Sequence, residues 1–384
     1  MAGLALGLAA LLGVPGLAAT SACVPPGAWV EPTAAGPRAL AVDDLLDRLA
    51  RRPAVLLGER HDSAAHHQWQ LATLAALQTR RPDLSLGLEM VPRRLQPVLD
   101  RWVAGELEER AFLEALDWPA IWGYDAELYL PILRFARDRR VPLLALNVER
   151  QLVRRVRAEG LAAVPASERE GVGRPAPASR AYQVQLHRLW QHHPFVPNSG
   201  QRRPGLEDPS FVRFVESQQL WDRAMAETIA DRRRRHPGAP VVALIGNGHL
   251  AGGHGVPHQL QALGLGEAAW LLPWDAGLDC AVLQPGLATA VFGVVSPPPA
   301  GLKLGVYLET HAGRVEIHQV APASLAERSG LRVGDRITAI DGQPVSSARQ
   351  VIERLAAHPA GRPLGLRFER GGRSLVLQLA LPGP

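Results

Sequence analysis

Cysteine is nearly absent from these 384 residues: Cys23 and Cys280 are the only two, which excludes a disulfide framework as the source of the fold. Lysine is scarcer still. Lys303 stands alone, so the net charge of +5 rests on arginines scattered along the chain. A nucleic-acid footprint needs a wider basic stripe. The one basic run, Arg232 to Arg235, follows a predicted helix whose C-terminal dipole favours cations. Nucleic acid is therefore set aside as a partner. Long apolar runs are also missing beyond Leu4 to Ala19, which is too short for a comfortable membrane span.

That first run, followed by Thr20-Ser21-Ala22-Cys23, reads as a secretory segment over residues 1–23 with a small-residue cleavage site. Its end resembles a bacterial lipobox, with Thr20 where that pattern has leucine. On this reading Cys23 carries a lipid that anchors the chain at the periplasmic face or outer membrane, and Cys280 is a buried thiol. With 47% hydrophobic and 21% charged residues, the remainder reads as globular protein long enough for two domains.

Beyond an irregular Pro- and Gly-rich stretch from Pro25 to Pro37, short apolar strands alternate with helices. Helices are expected over Val42–Leu49, Ala64–Arg80 behind a Ser63 cap, Arg94–Leu116, Tyr124–Asp138 and Pro209–Arg235 behind an Asp208 cap. Strands are expected at Ala54–Gly58, Leu84–Met90, Val141–Leu146, Val241–Ile245, Ala268–Leu272 and Cys280–Leu283. The alternation predicts an α/β fold with a mainly parallel sheet covered by helices. A Pro-, Arg- and His-rich insertion from Val164 to Asp208 interrupts it. Two strands close on GxxH, Gly58-Glu59-Arg60-His61 and Gly246-Asn247-Gly248-His249, and a third ends at Glu89. Ligands of open α/β sheets bind outside the carboxyl ends of the strands, so these ends are expected to converge on one metal or cofactor pocket.

Residues 296–301, Ser-Pro-Pro-Pro-Ala-Gly, form a semi-rigid linker. The segment 302–384 then changes to short alternating strands, with Leu304-Gly305-Val306-Tyr307, Gly330 to Ile337 around Gly334-Asp335, and Ile340-Asp341-Gly342 to Val345. It resembles a PDZ domain of the bacterial HtrA-like kind, a small β-sandwich or barrel with helices. That resemblance implies capture of a protein C-terminus by strand addition, at Leu304, Gly305, Val306 and Tyr307.

Over residues 24–295, the two GxxH motifs, Glu89 in Gly87-Leu88-Glu89-Met90, Tyr129-Leu130-Pro131, Asn147-Val148-Glu149-Arg150 and Gln219-Leu220-Trp221-Asp222 follow one another in an order similar to that of ChaN-like haem-binding lipoproteins. Their superfamily includes the Tiki proteases and erythromycin esterases. Two chemistries are implied and both stay open. In the first, which leads, haem occupies the pocket for haem or iron acquisition, with Tyr129 or Tyr124 as the iron ligand. Arg60, Arg93 or Arg150 then face the propionates; Trp118, Trp122 and Phe135 form a flat wall; and His254, beside His258, is a second imidazole source. The family stacks haem between subunits, so a homodimer is open. In the second, His61, Glu89 and His249 bind a divalent metal with Glu59 as general base, giving a peptidase or esterase. His66, His67, His192 and His193 are expected on the surface.

Overall fold

The computed structural model describes residues 23–191, 205–294, 304–311, 313–321, 324–359 and 361–379; the export segment, the linker, His192 and His193 lie outside them. Among the described residues, eight strands form one sheet: β1 (Trp29–Thr33), β2 (Gly36–Leu40), β3 (Ala54–Glu59), β4 (Ser85–Pro92), β5 (Leu143–Asn147), β6 (Val241–Gly246), β7 (Ala269–Asp275) and β8 (Ala290–Val294), in the order β2-β1-β8-β7-β3-β6-β4-β5. From β8 to β5 every pairing is parallel, and β1 and β2 extend the edge antiparallel.

The central strands are apolar on both sides because both sides are covered. In β3, Val55 and Leu57 enter one core while Ala54 and Leu56 enter the other; β6 divides in the same way, with Val242 and Leu244 opposite Val241, Ala243 and Ile245. The first core is closed by α1 (Val42–Leu49), α2 (Ala64–Arg80), α3 (Gln96–Ala104), α4 (Glu109–Leu116) and α6 (Leu130–Asp138), and the short α5 (Trp118–Ile121) packs there too. Across the sheet, α9 (Pro209–Arg235) and α10 (Val256–Ala262) close the second core. Near them α7 (Arg150–Glu159) packs with α9 around Val156 and Leu220, and α8 (Arg180–Gln191) lies on the start of α9. The caps read from the sequence form as expected. Ser63 accepts from His66 N, and Asp208 accepts from Ser210 N and Phe211 N ahead of Pro209.

Several expectations are corrected. The single helix over Arg94–Leu116 is two, because Gly105 takes a left-handed φ of 76° and ends α3. Cys280–Leu283 is not a strand; Cys280–Val282 is one helical turn, and the strand follows at β8. The stretch Pro25–Pro37, expected to be irregular, holds β1 and the start of β2. Cys23 is not left free for lipid and Cys280 is not a buried thiol. The two are disulfide-bonded with Cα atoms 5.8 Å apart, which occupies the sulfur that a lipid would need. Among the described residues no helix is long and apolar enough to cross a membrane.

The C-terminal unit has a second, antiparallel sheet, β14-β13-β11-β10-β9, with β12 (Gln343–Pro344) paired to β11. Its members are β9 (Val306–His311), β10 (Arg314–Val320), β11 (Arg336–Ile340), β13 (Leu364–Arg370) and β14 (Arg373–Leu379), with α11 (Leu325–Arg328) and α12 (Ala348–Ala357). Leu304, Val315, Ile317, Val351 and Leu366 fill its core. β9 is an edge strand, and α12 stands beside it, with Ala348 N donating to Thr310 Oγ1 at 2.9 Å.

Candidate functional site

The parallel order sets β6 between β3 and β4, so the carboxyl ends carrying the two GxxH motifs and Glu89 are neighbours. Glu59, the last residue of β3, is 2% exposed and receives three hydrogen bonds: from His61 Nδ1 (2.7 Å), from the Tyr129 phenol (2.6 Å) and from Gln70 Nε2 (2.9 Å). Burial alone would raise its pKa. The His61 bond, the charges of His67 and His61 and the Tyr129 bond outweigh that and hold it below the ordinary carboxylate value. For His61 burial again opposes charge, but the bond to Glu59 and the nearby Glu89 raise its pKa.

The second motif has its own anion. His249 Nδ1 donates to Asp222 Oδ1 at 2.7 Å; Asp222, in the middle of α9, is fully buried and also accepts from the Tyr182 phenol of α8 at 2.7 Å. On its other edge, His249 Nε2 lies 3.7 Å from Glu89 Oε1, while Glu89 Oε2 accepts the Gly246 amide at 2.5 Å. Burial disfavours the imidazolium, yet Asp222 and Glu89 together bring the His249 pKa up to about 9.

The glycines of the two motifs make room for each other's residues. A Cβ on Gly58 would stand 2.3 Å from Asn247 Oδ1 of the second motif, and one on Gly246 would stand 2.8 Å from the His61 ring of the first. Gly246 has an ordinary φ of −56°, so space rather than backbone strain requires glycine there.

Above these strand ends opens a cavity of about 600 Å³, well sized for a small-molecule site. Glu89 lies at its floor with His61 and His249 at either side; Trp122, Tyr124, Ile121 and Trp221 supply aromatic and apolar wall, and Arg150 and Arg154 of α7 line another side. His61 packs against Trp122 and Tyr124, with ring centroids 4.6 and 5.2 Å away. Tyr124 is 40% exposed, and its phenol makes no hydrogen bond among the described residues. Its pKa is raised by partial burial and by Asp62, against the pull of Arg150.

The candidate residues separate on this map. His61, Glu89, His249, Tyr124 and Arg150 line the cavity. Tyr129 does not: it is 1% exposed, tied to Glu59, and burial and that carboxylate push its phenol far up in pKa. Arg60 turns outward to Asp62 and Asp275, and Arg93 is spent on Ala224 O and Thr228. Trp118 steadies the loop by donating to Tyr124 O, and Phe135 packs on the core. His254 lies off the cavity, near Tyr182. His66 and His67 are not on the surface. They are 1% and 3% exposed, because His66 donates to Asp275 and His67 spans Gln70 and His61 O beneath the floor. Among the described residues no group of three or more His, Cys, Asp or Glu side chains is gathered to hold a metal ion.

Asp222, Tyr182 and Gln70 were missed from the sequence. For Asp222 a signal was present, since an acid between Leu220 and Ala224 interrupts the buried stripe of a long helix.

Comparison with known proteins adds an independent line. The family model described as haem-binding uptake, Tiki superfamily, ChaN, matches residues 45–260, just over half the chain, and a PDZ domain model matches residues 303–381. Among solved structures, the cofacially haem-binding ChaN of Campylobacter jejuni aligns with a TM-score of 0.55 at 18% identity, over 71% of this chain and 97% of that one, a likeness of fold. Two curated relatives match short segments: a probable periplasmic serine protease do/HhoA-like of Haemophilus influenzae, 37% identical over 65 residues, and the regulator of sigma-E protease RseP of Salmonella typhimurium, 38% identical over 63. These segments are 17% and 16% of this chain, and the chain spans about 14% of the length of either relative.

Proposed function

Because the chain belongs to the ChaN haem-binding uptake family of the Tiki superfamily and carries a PDZ domain behind that unit, we propose that its strand-end cavity holds haem outside the cytoplasm, in haem or iron uptake. The observation that carries this reading is Tyr124: a phenol without a protein partner, set among Trp122, Ile121 and His61 on the wall of a cavity of about 600 Å³. The donor set suits the group. Phenolate oxygen is an axial ligand of ferric haem, apolar walls accept the flat macrocycle, and the cationic α7 side suits its carboxylates. When bound, haem would supply redox-active iron; Tyr124 would hold it, beside His61 braced by Glu59. The Cys23–Cys280 disulfide supports an oxidising compartment. The ChaN of Campylobacter jejuni binds haem cofacially, which supports the same reading.

Titration of the full chain with haemin tests this. The expected result is a saturable Soret band with a tyrosinate charge-transfer feature that Tyr124→Phe removes and Tyr129→Phe retains. The reading fails if wild type gives no saturable band, or if Tyr124→Phe leaves the spectrum unchanged.

In the C-terminal unit, the groove between β9 and α12 is proposed to receive a protein C-terminus. Gly305, at φ 77° and with Ser324 Cβ 2.3 Å from any Cβ it carried, shapes the turn, and the backbone amides around Gly305 and Val306 would hold the carboxylate.

One observation favours a second reading, hydrolysis of an ester or peptide. His61 is held at Nδ1 by a buried carboxylate and lies on the cavity wall, the arrangement of an oriented general base. Turnover of a p-nitrophenyl ester or a peptide panel that His61→Ala abolishes would establish it, and its absence with and without added zinc would remove it.

A further inference from the structure

Three of the four arginines that line the cavity come from one helix. α7 carries Arg150, Arg154 and Arg157 at spacings of four and three residues, which stacks them on one helix face. Arg157 is covered by the Phe214 ring, 5.1 Å away, and Arg94, from the turn after β4, is paired with Glu149. Arg150 and Arg154 remain. Both line the cavity, and among the described residues neither has a carboxylate partner. Arg150 donates Nη2 to Trp122 O at 2.8 Å, which aims its guanidinium along the aromatic wall, and Arg154 is exposed at the rim.

The placement is locally unfavourable in the absence of an anion. Arg150 opens α7, where the helix dipole disfavours a cation, and the two acids at that end are engaged elsewhere, the N-cap Glu149 by Arg94 and Glu170 by the Glu149 amide. Arg154 adds like-charge repulsion, and burial removes part of the solvation of Arg150. Two guanidinium forks one helical turn apart, about 5–6 Å between Cβ atoms, match a ligand bearing two carboxylates on one edge.

We propose that Arg150 and Arg154 form a dicarboxylate-reading pair that binds the two propionates of a tetrapyrrole and sets its orientation in the cavity. This rests on the haem reading of the cavity. It goes beyond that reading by giving the acid side chains a selective role separate from that of the iron ligand Tyr124, so metal-free protoporphyrin IX is also a ligand.

The test is a binding titration of the full chain with haemin, protoporphyrin IX and protoporphyrin IX dimethyl ester, for wild type, Arg154→Gln and Arg154→Lys. Porphyrin absorbance and tryptophan quenching are the readouts. Wild type is expected to bind the free acid at least about tenfold more tightly than the diester, the size of a charge-assisted bond. Arg154→Gln is expected to weaken the acid by a similar factor while leaving the diester unchanged, and Arg154→Lys to recover part of the loss. Equal binding of acid and diester by wild type, or equal weakening of both by Arg154→Gln, overturns the pair while the haem reading stands. Failure of wild type to bind haemin overturns both.

Discussion

Replacing Asp222 by Asn removes one negative charge from a fully buried position and keeps its size. In the native protein that carboxylate, with Glu89 as the lesser contributor, holds His249 in its charged form against the cost of burial and raises its pKa from 6.5 to about 9. A group whose pKa is raised by folding contributes stability that is complete below its unfolded value and lost as pH rises through its folded one. A rise from 6.5 to about 9 corresponds to about 3 kcal/mol. The cost of leaving a buried charge without its partner, about 3–5 kcal/mol, gives the same order by a separate route. Because Glu89 remains beside His249, about 3 kcal/mol is the upper limit, and Asp222→Asn is expected to lose about 2–3 kcal/mol at pH 6. The difference from wild type should shrink between about pH 6.5 and 9, because wild type itself gives up the imidazolium there. Urea unfolding followed by tryptophan fluorescence measures this directly. All nine tryptophans precede residue 295, so the signal belongs to the large domain alone. A difference that is the same at pH 6 and pH 9.5, or one below about 0.5 kcal/mol at pH 6, refutes the claim that Asp222 charges His249.

Two further outcomes are expected. Gly246→Ala puts a methyl 2.8 Å from the His61 ring, so it should cost about 1–3 kcal/mol and weaken haemin binding by moving His61 off Glu59; full stability with unchanged binding speaks against the interlock of the two motifs. Cys280→Ser opens a loop that spans 257 residues of sequence separation, for which chain entropy sets a ceiling of about 5.5 kcal/mol. Its melting temperature should fall and become insensitive to dithiothreitol; two alkylatable thiols in unreduced wild type would show that the bond is not formed.

How much of this was legible in the sequence depends on how local the signal was. β3 and β6 are continuous apolar runs cut off by a polar tetrapeptide, and Asp208-Pro209 and Ser63 announce their helices, because strand burial and capping are written in neighbouring residues. The glycines of the C-terminal segment mark a PDZ domain for the same reason. β1 and β2 carry no such pattern, since they sit at the sheet edge where the register is set by pairing with β8 and by the link from Cys23 to Cys280. Tyr124 and Tyr129 looked equivalent. They are separated by the turn after Trp118–Ile121, which points one phenol into the cavity and the other down onto Glu59, and no local pattern encodes that choice. His66 and His67 read as surface on helix α2 because the carboxylates that bury them, Asp275 and Glu59, are distant in sequence or on another element.

The central claim is that haem enters the cavity above His61, Glu89 and His249. It is tested most directly by comparing haemin titrations of wild type and Ala120→Trp, a substitution on the exposed rim of that cavity that fills its mouth without touching the core. A saturable Soret band in wild type that the plug abolishes, with fold and thermal stability retained, is the expected result. Equal saturation of both proteins, or none in wild type, contradicts it.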